Sequence, residues 1–346
     1  MTTELPHHAQ LLLLDQHQVS VLLQPDDVLD AVREAFVLHS TGQGQVFPVV
    51  REGLNTGGVF GIKSGTVPGQ GLLGFKAAGF WPGNRHLGAE PHQATILLID
   101  PATGRPLCMI DGNAVTTQRT GAAGGLGLLA LARPDSRRIT VFGTGVQARV
   151  QLNFALRLLP TLQQIHYLSS SGRPRPDFEA AITKAFPACV IAHTTNGDTA
   201  VADSDVVITA TPGAGALFAL EAVQPGTHLT CVGADTRGKR ELPAGLLARA
   251  RLFVDDLPQA RQIGELQWAP DTQATTLGDV LTDQVQVQRA DSDITLFDMT
   301  GLALQDLTVA RLLHQRALAT GTGTRLAWPG LGDASTHKHI PSRSTT

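Results

Sequence analysis

The strand-like run Arg138-Ile139-Thr140-Val141-Phe142 leads into Gly143-Thr144-Gly145-Val146-Gln147-Ala148 and then into a helical stretch from Ala148 to Leu159. That order suits a dinucleotide pyrophosphate. Gly143 makes the tight turn, Gly145 lets the backbone approach the phosphates, and the small Ala148 permits close helix–strand packing. The free amides at the helix start then face the anion. A glycine loop alone also fits an ordinary strand-to-helix turn, but this one opens a series of strand–helix units, which favours the dinucleotide. Val146 and Gln147 join Gly143, Thr144 and Gly145 as candidate cofactor contacts. The next strand-like run ends at Ser169-Ser170-Ser171-Gly172-Arg173-Pro174-Arg175, and its first acid is Asp177. A carboxylate at the strand end would hold the ribose 2′-hydroxyl of NAD. The three hydroxyls of Ser169, Ser170 and Ser171, followed by the two arginines Arg173 and Arg175, suit a 2′-phosphate, so NADP(H) is favoured over NAD(H), a solvated loop being the alternative.

Cations are sparse before residue 120, so each raises a question. Lys63 lies in Phe60-Gly61-Ile62-Lys63-Ser64-Gly65 and Lys76 in Leu72-Leu73-Gly74-Phe75-Lys76-Ala77-Ala78, both amid apolar and small residues. Such a lysine is either an edge-strand gatekeeper or a buried cation awaiting an anion. Arg119 reads as standing at the start of a helix, where it would oppose the helix dipole and need a compensating anion from the protein or a ligand. Arg51 follows the short strand-like run Val46 to Val50. Surface placement is the plain alternative for each, but together they suggest a carboxylate substrate. A strand-like run from His228 to Val232 ends in Gly233-Ala234-Asp235. Ligands of open α/β sheets bind at the carboxyl ends of the strands, so Asp235 is placed to act as acid, base or water-positioning group, or else caps a turn. Thr209, Ala210 and Thr211, at another strand end, are candidates to line the nicotinamide side, with Val232 and Gly233. His92 is a possible proton relay or a structural histidine. No histidine has metal-ligand spacing.

The elements that must position these groups fall into three parts. Residues 118–311 alternate short apolar strands with helices, which implies a parallel sheet. Residues 1–117 begin with a helix after Pro25, carrying Val28, Leu29, Val32, Ala35 and Phe36 on one face, and continue as strands with glycine punctuation. A last helix from Leu304 to Leu318 leads back to that first part. The expected architecture is α/β: a Rossmann dinucleotide-binding domain (118–311) inserted in a split α+β substrate-binding and dimerisation domain (1–117 plus 312–330), with a disordered tail at 331–346. The 346 residues agree with about two domains at roughly 150 each. With 27 Lys+Arg against 30 Asp+Glu, the net charge of −3 excludes a broad electrostatic grip on nucleic acid or an anionic membrane. Leu11 to Leu14 is too short for an export signal, and no run reaches the 18 or so apolar residues of a membrane helix. Three scattered cysteines (Cys108, Cys189, Cys231) point to reduced thiols and a cytoplasmic setting.

Six further pieces stand out: Phe80-Trp81-Pro82-Gly83-Asn84, His92-Gln93-Ala94-Thr95, Arg119-Thr120-Gly121-Ala122-Ala123, Gly233-Ala234-Asp235 with Gly238-Lys239, Val254-Asp255-Asp256, and Phe297-Asp298-Met299-Thr300-Gly301-Leu302-Ala303 with Asp306. Together they resemble the ornithine cyclodeaminase / mu-crystallin family, which includes an archaeal alanine dehydrogenase and iminosuccinate and cyclic-imine reductases. The resemblance runs from about Leu11 to Leu318. It implies a homodimer, a substrate α-carboxylate held by Lys76 and Arg119, and Asp235 as catalytic acid/base. Where the family often shows Pro-Pro-Arg or Pro-Pro-Lys, this chain has Pro48-Val49-Val50-Arg51. The leading expectation is an NAD(P)H-dependent reductase of an α-imino acid or cyclic imine carboxylate, of the iminosuccinate or Δ1-pyrroline-2-carboxylate type. Lys76 would be an alternative proton donor, and Arg51 and Lys63 further carboxylate ligands. The alternatives are an ornithine cyclodeaminase, an alanine dehydrogenase-like oxidative deaminase, and a non-enzymatic mu-crystallin-like ligand binder.

Overall fold

The computed structural model describes residues 10–213 and 215–328, so the expected tail at 331–346 lies outside the described residues. The chain opens with β1 (Gln10–Leu14), α1 (Gln16–Leu22) and α2 (Pro25–Ser40), the last burying Val28, Val32, Ala35 and Phe36 as its apolar spacing requires. Strands β2 (Gln45–Val46), β3 (Val50–Gly53), β4 (Val59–Val67), β5 (Leu72–Phe80), β6 (His92–Ile99) and β7 (Pro106–Asp111) follow. The single strand expected over 46–50 is thus two short ones. Pro48, which has no N–H to give to a ladder, lies between them.

The chain then enters α3 (Gly112–Leu131), a 20-residue helix whose interior glycines are poor helix formers. They are there for space. A β-carbon on Gly121 would meet Val150 and Phe154 at 2.6 Å, and one on Gly127 would meet Phe297 at 2.4 Å. Next come β8 (Arg138–Phe142), α4 (Val146–Leu158), β9 (Gln164–Leu168), α5 (Pro176–Ala185), β10 (Val190–His193), α6 (Gly197–Ala202), β11 (Val206–Thr209), β12 (His228–Cys231), α7 (Leu246–Arg249), β13 (Arg251–Val254), α8 (Leu257–Ile263), β14 (Ala274–Thr276), α9 (Leu277–Leu281) and β15 (Thr295–Asp298). The chain returns through α10 (Ala303–Thr320) and ends in β16 (Thr324–Ala327).

Two eight-stranded sheets result. The first runs β16-β1-β7-β6-β5-β4-β2, with β3 also paired to β4; the second runs β10-β9-β8-β11-β12-β15-β13-β14 and is parallel throughout. Parallel strands joined by helices on an open sheet make a Rossmann-type unit. Strand β15, which the sequence reading did not list, separates β12 from β13. Its four residues are all buried and carry no alternation to mark them. The boundaries expected at 117/118 and 311/312 fall inside α3 and α10, both of which are continuous. Helix α10 packs on α2, α3, β4, β5 and β6, so its first two turns belong with the first sheet. One apolar core, including Phe36, Ile96, Leu126, Phe297 and Leu307, joins that sheet to the parallel one through α3.

Candidate active site

Strands β8, β11, β12 and β15 end in register, with Phe142 beside Thr209, Thr209 beside Cys231 and Cys231 beside Asp298. The residues that follow them therefore line one edge. Gly143 turns the chain at φ +109°, and a β-carbon there would lie 2.6 Å from the Ala210 carbonyl oxygen, so only glycine fits. A β-carbon on Gly145 would meet nothing within 4 Å: the loop leaves an open cradle on that side. Gly145 caps α4 without a side-chain hydrogen bond, leaving the first amides of that helix to an anion. These features fit a dinucleotide pyrophosphate on residues 143–147.

The serines after β9 are used differently from the sequence expectation. Ser169 Oγ donates to the Arg173 carbonyl (2.6 Å) and accepts from the Arg173 amide (3.1 Å), so this hydroxyl folds the turn; Ser170 is exposed. At the ends of β11 and β12, the Thr211 amide and hydroxyl both donate to Glu241 Oε1 at 2.7 Å, and the Gly233 amide donates to Glu241 Oε2 at 2.9 Å. Glu241 thereby ties the ends of β11 and β12 together, and its own amide donates to Glu265 Oε1. Burial raises the pKa of both carboxyls, that of Glu265 to about 7. Sequence reasoning missed Glu241, because an acid in a charged stretch (Lys239-Arg240-Glu241) looks like solvated surface; it is fully buried.

Facing this edge, Lys63 and Lys76 stand directly opposite each other on β4 and β5. Lys76 Nζ reaches both oxygens of Asp306, at 2.9 and 2.8 Å, and Arg119 Nε donates to Asp306 Oδ1 at 3.0 Å. The three side chains are almost completely buried, at 4, 6 and 1% exposure for Lys76, Arg119 and Asp306. Arg119 also donates to Gln305 Oε1 (3.0 Å), whose Nε2 is buried without a protein partner. Arg119 is not at a helix start, as expected, but in the second turn of α3; its compensating anion is Asp306 and not the helix end. Lys63 Nζ donates to the carbonyls of Thr300 (2.6 Å) and Gly301 (2.7 Å), and Asp255 holds that loop from below by accepting from Thr300 Oγ1 and the Gly301 amide. Asp235 Oδ1 accepts from Lys239 Nζ at 2.7 Å; its Oδ2 lies 3.3 Å from Arg51 Nη2, which also donates to Thr236 Oγ1. The shifted proline motif therefore still delivers Arg51 to Asp235. His92 Nδ1 contacts Asn113 Oδ1 at 3.1 Å.

The electrostatics follow from counting charges. Asp306 offers one negative charge to two cations. Desolvation and the neighbouring Arg119 push Lys76 down to about 7, with Asp306 pulling the other way; desolvation and Arg119 also bring Lys63 to about 8. Asp235 is the opposite case: desolvation works upward, but Lys239 and Arg51 outweigh it and hold the carboxyl at about 2. At neutral pH the site holds an ionised Asp235, a lysine poised to exchange a proton, and a local excess of positive charge.

A parallel Rossmann-type sheet facing a cluster of buried cations is the frame of a nicotinamide-dinucleotide enzyme. The sequence matches the ornithine cyclodeaminase/mu-crystallin family over residues 10–321, and the chain belongs to that family. It is 31% identical to the iminosuccinate reductase of Paracoccus denitrificans over 90% of this chain and 98% of that one. Its fold is similar to an archaeal alanine dehydrogenase dimer with bound NAD (TM-score 0.86, 30% identity, 92% of this chain and 100% of that one). It is also similar to Thermococcus litoralis Δ1-pyrroline-2-carboxylate reductase in complex with NADH and L-proline (TM-score 0.85, 26% identity, 90% and 99%). These relatives are oxidoreductases of imine and amino-acid substrates that use a nicotinamide dinucleotide.

The charge count makes Asp306 testable. Asp306→Asn leaves two buried cations without their anion and should lower unfolding stability by about 3–5 kcal/mol at pH 7 in urea titrations. The loss should shrink at higher pH. With its carboxylate gone Lys76 titrates lower than the wild-type value of about 7, so near that pH the folded variant holds fewer protons than the folded wild type and the loss shrinks as pH rises through 7. A loss equal at pH 6 and pH 9 would contradict this assignment.

Proposed function

We propose that the chain reduces the C=N bond of an α-imino carboxylate, or of a cyclic imine bearing a carboxylate, to the amino acid. The observation that carries this reading is the buried Lys76–Asp306–Arg119 cluster, whose two cations share one carboxylate and so have charge left for a second. The substrate α-carboxylate takes that place, held by Lys76 and Arg119. Asp235 faces the substrate nitrogen, oriented by Lys239 and Arg51. A nicotinamide dinucleotide with its pyrophosphate on residues 143–147 and its nicotinamide against 209–211 and 232–233 would supply the hydride.

Proton handling divides between the two ionisable groups. As the imine carbon gains hydride, the π pair moves to nitrogen, which takes a proton from Lys76 Nζ; a lysine near 7 gives it up readily and is recharged from water. Asp235, held at about 2, stays ionised and stabilises a positively charged iminium, or accepts a proton in the oxidative direction. The similarity to an archaeal alanine dehydrogenase supports that reverse direction as the second reading. A diamine substrate such as ornithine would place its distal ammonium against the cationic Lys63, which disfavours the cyclodeaminase. The intact acid/base pair speaks against a passive binder, and the buried free thiols of Cys108 and Cys231 suit a cytoplasmic enzyme.

Lys63 selects within the substrate class. Released from the carbonyls of Thr300 and Gly301, it would meet a second carboxylate, which favours a dicarboxylate of the iminosuccinate type. A panel of 2-oxo acids with ammonia and of cyclic imines, followed at 340 nm with NADPH and NADH, should show cofactor oxidation. Lys63→Met should then raise KM for the dicarboxylate by ten- to about a hundredfold, the worth of one charge-assisted hydrogen bond, and spare a monocarboxylate. An unchanged KM for the dicarboxylate would remove Lys63 from recognition. The protonated Lys76 is required by the free enzyme, so kcat/KM should fall about tenfold per pH unit above pH 7. Lys76→Arg should lack that limb of the profile, and a limb that persists in the variant would assign it elsewhere.

The partner we propose is a second copy of the chain. Helices α10 and α3 cover one face of the first sheet, where Leu304 and Leu307 lie against Gly65 and Gly74. The other face presents Phe60, Ile62, Phe75 and Leu97, all half-buried, and the exposed Met109, an apolar surface of the kind that homodimers bury. Light scattering should give the mass of two chains; a monomer at micromolar concentration would contradict it.

A further inference from the structure

The helix-end arginine Arg149 and the loop arginine Arg175 converge on the tip of the glycine loop; the sequence pointed to Arg175, together with Arg173, as a phosphate ligand and gave Arg149 no role. Arg149, in the first turn of α4, points Nε at the Thr144 carbonyl (3.4 Å), while Arg175 Nη1 lies 3.5 Å from Thr144 Oγ1. One carboxylate binds both guanidinium groups: Asp177 Oδ2 accepts from Arg149 Nη2 at 2.5 Å and from Arg175 Nη2 at 3.1 Å, and its Oδ1 accepts from Arg175 Nε at 3.1 Å. The Phe178 ring carries Arg149 on its face, with Cζ 5.3 Å from the ring centroid. The Arg175 amide is anchored on the Tyr167 hydroxyl at 2.7 Å. Arg173, by contrast, is held only through its backbone by Ser169 and Ser171, and its side chain forms no ion pair among the described residues.

In a Rossmann-type unit the adenosine ribose lies between the glycine loop and the end of the following strand. That is the space Arg149 and Arg175 flank. Resting on the reading that the cofactor carries a 2′-phosphate, we infer that Arg149 and Arg175, and not Arg173, grip this phosphate, and that Asp177 is the resident anion that keeps the two guanidinium groups together until it arrives. Two guanidinium groups brought side by side repel unless an anion lies between them. A carboxylate fills that role weakly, because it offers one charge to two. A phosphate with close to two negative charges and three acceptor oxygens can take a fork of donors from each arginine. Asp177 is thus both organiser and competitor: it shapes the pocket and lowers its net affinity for a further anion. Discrimination between the two nicotinamide cofactors then resides in the Arg149–Asp177–Arg175 triplet, while Ser169 and Ser171 serve the turn.

Calorimetric titration of the full chain with adenosine 2′,5′-bisphosphate and with 5′-AMP reads this without any turnover. The wild type should bind the bisphosphate at least about tenfold more tightly than AMP, the scale of one charge-assisted phosphate contact. Arg149→Ala and Arg175→Ala should each remove most of that ratio while AMP affinity stays within about twofold, and Asp177→Asn should widen the ratio. Arg173→Ala should leave it unchanged. Arg149→Gln keeps the side-chain stem over Phe178 and, with the thermal midpoint of every variant, separates lost recognition from lost folding. A wild-type ratio near one would sink the 2′-phosphate reading itself. A clear wild-type ratio that survives both arginine variants, or that vanishes in Arg173→Ala, would sink only the assignment made here.

Discussion

A single buried carboxylate organises this molecule. Asp306 enters from the start of α10, Lys76 from the middle of β5 and Arg119 from the second turn of α3, and the three meet where almost no water remains. Charges removed from water are costly unless they are paired with good geometry, so the return helix, the first sheet and the central helix cannot shift independently without exposing or orphaning one of them. Gly301, with φ +85°, fits the same constraint: a β-carbon there would lie 2.6 Å from an Arg119 guanidinium nitrogen. The loop carrying that glycine also supplies the carbonyls that hold Lys63. In the proposed function, structural closure and substrate recognition therefore use the same groups.

The parallel sheet contributes the second half of the site through register. Because β8, β11, β12 and β15 stop at the same level, the glycine loop, the Thr209–Thr211 segment and Asp235 fall along one rim. Glu241 keeps that rim closed by accepting from Thr211 and Gly233 at once. The two halves differ in electrostatic character. Around Asp306 cations outnumber anions and lysine pKa values fall; around Asp235 two cations hold a carboxylate ionised. Under the proposed reduction, a C=N bond between them would have its carboxylate in the positive half and its nitrogen near the negative one, the polarity that hydride delivery to carbon requires.

Motifs that depend on neighbours in sequence were legible from the residues alone. The glycine loop needs only a strand before it and a helix after it, and both are local; β8, β9, β10 and the helix after Pro25 lie where their apolar patterns placed them. Lys76 and Arg119 stood out as cations in stretches that do not otherwise carry charge, and Asp235 as a carboxylate at the carboxyl end of a strand. The resemblance to the ornithine cyclodeaminase / mu-crystallin family, visible in pieces such as Phe297–Ala303 with Asp306, matched the family found over residues 10–321.

What only the tertiary structure decided is who meets whom across long separations. Asp306 reaches Arg119 over 187 positions, Arg51 reaches Asp235 over 184, and Glu241 bridges two strand ends after a charged stretch that looks like surface. No spacing rule predicts such pairs, because their partners are chosen by sheet register and helix packing and not by chain distance. Arg119 was placed at a helix start, whereas α3 begins earlier, at Gly112, and its interior glycines make room for Phe154 and Phe297. The sequence determined which chemistry the chain can carry, since side-chain type and local periodicity are written residue by residue. The fold decided which of those groups share a site, because burial and pairing exist only between elements brought together.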